Sequence, residues 1–413
     1  MHRLSFFMEK GSVAMKTVVV KVGVSAMQSE ERIEQAAQYI EALKEQGNRV
    51  VVVASGMAKE KATLLAPIAK WTANALQREQ AMLMATSSQI AASSLAVALQ
   101  ARGHASTALT AQQAGVKTDA KYQHARITAI QTTKIETLLA QGSIVTIAGR
   151  QGVANGELTY LGDGGSATLA VALAHYLQAT HVIVLAKDSI YTADQAIIPR
   201  AQRMAEISFD EMLEFAHLGA NLLHPRSVEL AKKYNVKIFI QALTEQHGTW
   251  VKGEKDMEKE MIVRGVAYEA DIVRLTVGYD SNQEVSLASL FTTLAKHHIN
   301  VDIIVQATMH QAAQTVSFSI EKTQFAEALK VLEDNKQQLG FTFADFEIGL
   351  AKVSIIGSAM ASNPGVAASM FDRLRKEKIA VKMVSTSEIK VSVVVPQEDM
   401  VRAAQALHDE YHL

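Results

Sequence analysis

From Thr17 to about Trp250, short runs of Val, Ile and Leu alternate with longer stretches whose apolar residues recur at helical spacing. Val18-Val19-Val20 is followed by a segment carrying Ile33, Ala36, Ala37, Ile40 and Leu43, which predicts a helix closed by Gly47. Val50 to Val53, an Ala-rich helix over Glu79 to Ala101, Ile144 to Ala148, a helix through Leu177, Val182 to Leu185 and Val236 to Ile240 continue the pattern. Continuous apolar strands separated by helices predict an α/β fold, a three-layer αβα arrangement around a mostly parallel sheet. Ligands of such sheets bind beyond the carboxyl ends of the strands, so chemistry is to be sought just after each strand.

Gly253 to Glu260, GEKDMEKE, is charged and poor in apolar residues, the composition of a linker. Beyond it the chain repeats itself. Val285 to Ala307 aligns with Gly365 to Ser387, matching Phe291 with Phe371, Leu294 with Leu374, Ile299 with Ile379 and Val301 with Val381. Each copy reads strand, helix, strand, strand (Thr315 to Ile320, Ile389 to Val395), helix (Gln324 to Gln338, Glu398 to Tyr411). That is the order of a ferredoxin-like βαββαβ unit, with the final strand evident in neither copy. The expected domains are residues 15–252, 261–341 and 342–413. Two small modules in tandem point to sensing more than to catalysis.

A chain of 413 residues suits two or three domains. A net charge of −1 provides no field to attract nucleic acid or an anionic membrane, and neither is expected as a partner. The absence of cysteine excludes disulfides and thiolate metal sites, and the histidines show no ligand spacing, so no metal site is expected. No apolar run reaches the roughly 18 residues of a membrane span. Leu4 to Met8 is too short for a signal-peptide core, and Met15-Lys16 directly precedes the first strand. Residues 1–14 therefore read as an extension the fold does not need, and the expected location is the cytoplasm.

Two strand-end segments carry candidate chemistry. Lys21-Val22-Gly23 leaves the first strand with an ammonium and a glycine, which suit phosphate: the backbone approaches closely and the charge is offset. Gly162-Asp163-Gly164-Gly165-Ser166 opens a helix whose free N–H groups favour an anion. The ordinary alternatives are a solvated loop lysine and a plain glycine turn with Ser166 as cap.

Taken together, "VVVKVG", "QQAGVKTD", "AGRQGV", "LGDGGSAT", "YTAD", "GANLLHPRSVELAKKYNV" and "STSEIKVSVVV" resemble the motifs of the aspartate kinase family in their usual order, over nearly all of residues 16–413. The resemblance implies an amino-acid-kinase fold followed by two ACT modules. It also implies Mg-ATP-dependent phosphorylation of the aspartate side-chain carboxylate in lysine, threonine and methionine biosynthesis. A small amino acid, lysine or threonine, would bind the ACT pair as effector. Subunits would pair as a homodimer through the ACT modules, or with a partner aspartate kinase subunit.

Carried over position by position, Lys21 is the catalytic lysine, and Ser55, Gly164, Gly165 and Ser166 fall on the substrate side. Gly23, Asp188, Tyr191 and Asp194 fall on the nucleotide side. Other positions depart from the family. The second glycine after Lys21 is Val24. The glutamate that faces the substrate ammonium is Ser88. The arginine that holds the α-carboxylate is Asp163, and the aspartate beside the reacting centre is Ala167. Asn221 and Gln241 replace a lysine and an arginine, and Arg150 stands where the family has an apolar residue.

These changes predict aspartate kinase activity that is weak or lost, and leave three readings: an aspartate kinase, a silent regulatory homologue, or a kinase for another carboxylate acceptor. In the second repeat Asn363-Pro364-Gly365-Val366 keeps the turn that opens an ACT helix, whereas the first reads Gln283-Glu284-Val285. By resemblance Asn300, Asp302 and Gln306 line the effector site, Asp302 accepting the effector's ammonium.

Overall fold

The computed structural model describes residues 15–57, 63, 64, 66, 77–218, 223–245, 247–253, 262–280, 286–308, 314–358, 360, 363 and 365–413. The N-terminal extension, the linker after Gly253, Asn221, the Gln283–Val285 turn and Pro364 lie outside the described residues. The chain forms two compact units: one holds most of the residues up to Gly253, the other joins Tyr191–Gln202 to the chain from Ile262 onward.

The first unit contains β1 (Thr17–Val22), β2 (Arg49–Ala54), β3 (Ser106–Leu109), β4 (Val116–Thr118), β5 (Ile127–Ile130), β6 (Ile144–Ala148), β7 (Gln151–Ala154), β8 (Glu157–Tyr160), β9 (Val182–Ala186), β10 (Glu206–Ser208), β11 (Ile238–Ala242) and β12 (Thr249–Lys252). The main sheet runs β10-β12-β11-β9-β1-β2-β6-β3. From β11 to β3 every pairing is parallel. A second small sheet runs β5-β4-β7-β8. β1 and β2 are buried on both faces, which is why they read as unbroken valine runs.

One helical layer is α1 (Glu30–Glu45) with α2 (Gln77–Ala101), packed on Val18, Val20, Val50 and Val52. Ser29 caps α1 by accepting from the Arg32 N–H, and Glu30 and Glu31 complement its positive end. α2 is long and apolar enough to cross a membrane by length and composition, but half of that stretch is buried inside the unit, as in a core helix. Four more helices follow: α3 (Thr133–Ala140), α4 (Gly165–Tyr176), α5 (Phe209–His217) and α6 (Pro225–Tyr234). α4 is buried along nearly its whole length and so carries almost no polar face. α6 starts with Pro225 after the cap His224 and stops where Asn235 turns left-handed at φ 51°.

The second unit is one antiparallel six-stranded sheet. Its elements are β13 (Gly265–Tyr279), α7 (Leu287–Lys296), β14 (Ile304–Thr308), β15 (Gln314–Glu321), α8 (Phe325–Asp334), α9 (Lys336–Leu339), β16 (Phe343–Ile356), α10 (Val366–Lys376), β17 (Met383–Thr386), β18 (Lys390–Pro396) and α11 (Met400–Glu410). The order is β14-β15-β13-β16-β18-β17.

The strand missing from each repeat is here. The later half of β13 opens the first copy and the early half of β16 closes it. The later half of β16 opens the second copy, whose fourth strand is the early half of β13. A register shift between Glu269 and Ile272, with Asp271 at φ 58°, divides the two halves. Leu275 and Phe318 pack with Leu290 and Val331 in one core, and Val353 and Val393 with Leu374 and Leu407 in another.

The alternation in β18 suggests a free apolar face, but Val391, Val393 and Val395 are buried beneath α10 and α11. A run of exposed apolar side chains lies instead on β14 (Ile304, Val305) and early β16 (Phe343, Phe346, Ile348), with others scattered on β17, α10 and α11 (Val384, Phe371, Val401).

Candidate active site

β1, β2 and β6 are parallel neighbours, so their carboxyl ends open on the same edge of the sheet. A cavity there is lined by Val24 after β1, by Ser55, Gly56 and Met57 after β2, by Met84 and Ser87 of α2, and by Arg150 after β6. α4 begins beside it. The Ser55 and Ser166 hydroxyls share a buried hydrogen bond of 2.8 Å, which ties the end of β2 to the first turn of α4.

The glycines that survive have packing reasons to survive. A Cβ on Gly23 would lie 2.5 Å from the Leu185 carbonyl oxygen, which already accepts the Gly23 N–H at 3.0 Å. Gly164 has φ +72°, and a Cβ there would lie 2.2 Å from Cβ of His224. A Cβ on Gly165 would lie 2.6 Å from Cβ of Leu161. The Arg226 guanidinium donates to the Leu161 carbonyl (3.0 Å) and the Ala125 carbonyl (2.7 Å), so the HPR motif holds the glycine loop in place.

Lys21 is half-buried near the end of β1, with its side chain packed inward. Burial, and then the charge of Arg150, push its ammonium down to about 8. Arg150 donates from Nη1 to the Tyr160 hydroxyl at 3.2 Å, while its Nε is buried with no hydrogen-bond partner.

The substituted positions are folded into the structure rather than left open. Ser88 is fully buried; its hydroxyl donates to the Ala85 carbonyl at 2.9 Å and accepts from Gln151 Nε2 at 3.2 Å. Gln151 also donates to the Ala85 carbonyl at 2.7 Å and accepts from the Ala111 N–H at 3.3 Å. Ala167 is buried within α4. Asp163 is exposed, and its charge acts on His224, whose pKa is lowered chiefly by burial and by Arg226.

The remaining expected residues fall into two groups. Asp188 is half-buried after β9, with its carboxylate 3.8 Å from the Lys187 ammonium. Tyr191 and Asp194 belong to the second unit. There Tyr268 donates to Asp194 Oδ2 at 2.7 Å, Asp194 Oδ1 accepts from the Ala196 N–H, and Thr192 bonds buried His408 at 3.0 Å.

Asn300, Asp302 and Gln306 are exposed side chains in the loop after α7 and on β14. Asp302 is already engaged, because buried Lys352 donates to it and also pairs with Glu269 at 2.6 Å. Burial alone would lower the Lys352 pKa, but the hydrogen bonds it donates to Asp302 and Glu269 outweigh it and raise the value.

Sequence reasoning passed over Gln151, Ser87, Met57 and Met84. The only signal for Gln151 is its place in "AGRQGV" beside Arg150.

The family model described as amino acid kinase family matches residues 16–242, and an ACT domain model matches residues 353–411. An aspartokinase of Bacillus sp. (strain MGA3) is 44% identical over 402 residues, 97% of this chain and 98% of that protein. Aspartokinase 2 of Bacillus subtilis is 43% identical with the same coverage of both chains. The fold also matches a crystal structure of E. coli aspartokinase III in complex with aspartate and ADP. That match has a TM-score of 0.77 and 22% identity, over 96% of this chain and 100% of that one.

Proposed function

The chain belongs to the aspartate kinase family, and from that premise we propose that it is a regulatory homologue, an amino-acid sensor joined to a kinase domain that turns over aspartate weakly or not at all. The observation that carries this reading is Ser88. An amino-acid substrate brings an ammonium that needs an acceptor, and an unpaired charge in a dry site is costly. The Ser88 hydroxyl is spent on Ala85 and Gln151, and no Asp or Glu lines the cavity among the described residues.

Asp163 and Ala167 add to the loss on the substrate side. Phosphoryl transfer depends on placed charges, and removing one such group costs roughly 100- to 1,000-fold in rate. Mg-ATP chemistry, expected from the family, would draw on Lys21, which keeps its place, and on the turn at Gly23, whose N–H is already given to the Leu185 carbonyl.

The second unit supports the sensing half. Its cores are complete, and Asp302 stands exposed with Asn300 and Gln306. An effector ammonium, from lysine or threonine, would share Asp302 with Lys352. The exposed Ile304, Val305, Phe343, Phe346 and Ile348 suit a second copy of the chain.

The test is a coupled assay of aspartate-dependent ADP formation. Turnover far below the roughly 10 per second common among enzymes is expected, and a rate within about tenfold of it would overturn the reading.

A further inference from the structure

The cavity at the ends of β1, β2 and β6 is lined by one cation and, among the described residues, by no acidic side chain, and nothing in the aspartate kinase resemblance requires that cation. Arg150 lines it and spends only one described hydrogen bond, to the Tyr160 hydroxyl; its Nε is buried with no partner. A buried guanidinium donor left unmade is costly, and an incoming anion would relieve that cost. Lys21 is close enough for the two cations to repel, which disfavours its charged form until an anion arrives. The rest of the lining is Val24, Gly56, Met57 and Met84, with the hydroxyls of Ser55 and Ser87. Ser87 Oγ already accepts the Met57 N–H at 3.2 Å, and Ser55 is paired with Ser166.

We propose that this cavity binds a small dicarboxylate that carries no amino group, for which succinate is the simplest probe, in preference to aspartate. One carboxylate meets the fork of Arg150, as planar guanidinium–carboxylate pairs do, and the other meets Lys21 and the hydroxyls at the start of α4. The carbon chain lies against Met57 and Met84. An α-ammonium in the same space would be desolvated beside two cations, with Ser88 unable to act as its counter-ion. This specificity rests on the reading that the aspartate site has lost its ammonium acceptor, but binding is separable from turnover.

Isothermal titration of the full chain with succinate, aspartate and inorganic phosphate tests it. Succinate is expected to bind at least about tenfold more tightly than aspartate, a difference of 1.4 kcal/mol. Arg150→Leu and the milder Arg150→Gln are each expected to weaken succinate binding by about tenfold or more, while melting no lower than the wild type, since both remove the unpaired donor and the repulsion on Lys21. Affinity is expected to fall as pH rises through about 8, where Lys21 loses its proton.

Succinate that fails to bind at millimolar concentration, or that binds equally well to both Arg150 variants, overturns the inference and leaves the loss of aspartate turnover standing. Phosphate binding as tightly as succinate overturns the dicarboxylate assignment and leaves a generic anion site. Aspartate binding more tightly than succinate, with brisk ADP formation, overturns both.

Discussion

Two lysines drawn out of water, one half-buried in the first unit and one buried in the second, show opposite solutions to the same electrostatic problem. Lys352 sits in the middle of β16 with Glu269 and Asp302 on its ammonium, and its pKa is raised. Lys21 sits near the end of β1 with Arg150 as its charged neighbour, and its pKa is lowered to about 8. The second unit supplies its own counter-ions, so Lys352 belongs to the fold. The first unit leaves its cation under-compensated, which is the condition of a site whose missing charge comes from a ligand.

The largest effect expected from breaking this contrast is at Lys21. Its folded pKa is depressed, so below about 8 both folded and unfolded chains hold the proton and the full burial penalty stands. Between about 8 and 10.5 the unfolded chain keeps a proton that the folded chain has released, so stability rises with pH. Lys21→Met is expected to stabilise the first unit by about 3 kcal/mol at pH 7 and to abolish that rise. Urea unfolding at pH 7 and above pH 9 checks both, and an unchanged or lowered midpoint at pH 7 would show that Lys21 is already compensated.

A smaller effect of opposite sign is expected at Lys352. Lys352→Ala leaves Glu269 and Asp302 facing each other and should destabilise the second unit by about 2 kcal/mol. That is less than a fully buried pair would lose, because the Asp302 side chain is 48% exposed. The folded pKa is raised, so this contribution is complete below the unfolded value of 10.5 and is lost as pH rises through the folded value above it. A melting temperature that does not move at pH 7 would make Lys352 a surface charge in effect.

The same contrast marks how far the sequence could be read. The valine runs of β1 and β2 were legible because both faces are buried, and α2 because its alanines recur through a core helix. The sharing of β13 and β16 between the repeats was not legible. Which strand lies fourth in a sheet is decided by pairings far apart in sequence, and a continuous apolar strand does not announce its partner.

At the site, Lys21, Ser55, Gly164, Gly165 and Ser166 were found by motif, and the structure places Ser55 against Ser166. The cavity walls Met57, Met84 and Ser87 come from a loop and a helix that no spacing rule joins. The residues retained from the family motif include those that also hold the scaffold: Gly23 against Leu185, Gly164 against His224, Ser55 bonded to Ser166. Ser88, Asp163 and Ala167 stand where, by the family resemblance, groups that hold substrate or lie by the reacting centre are expected. Two of them are now buried in helices and one is exposed.

That division is the account's central claim, and the direct test is to restore the three chemical positions on the unchanged scaffold. The combined variant Ser88→Glu, Asp163→Arg, Ala167→Asp should raise aspartate-dependent ADP formation by about 100-fold or more over the wild type. Each single change should give much less than its share, because the groups act as a unit. A combined variant that keeps the wild-type melting temperature yet turns over aspartate no faster would contradict the claim.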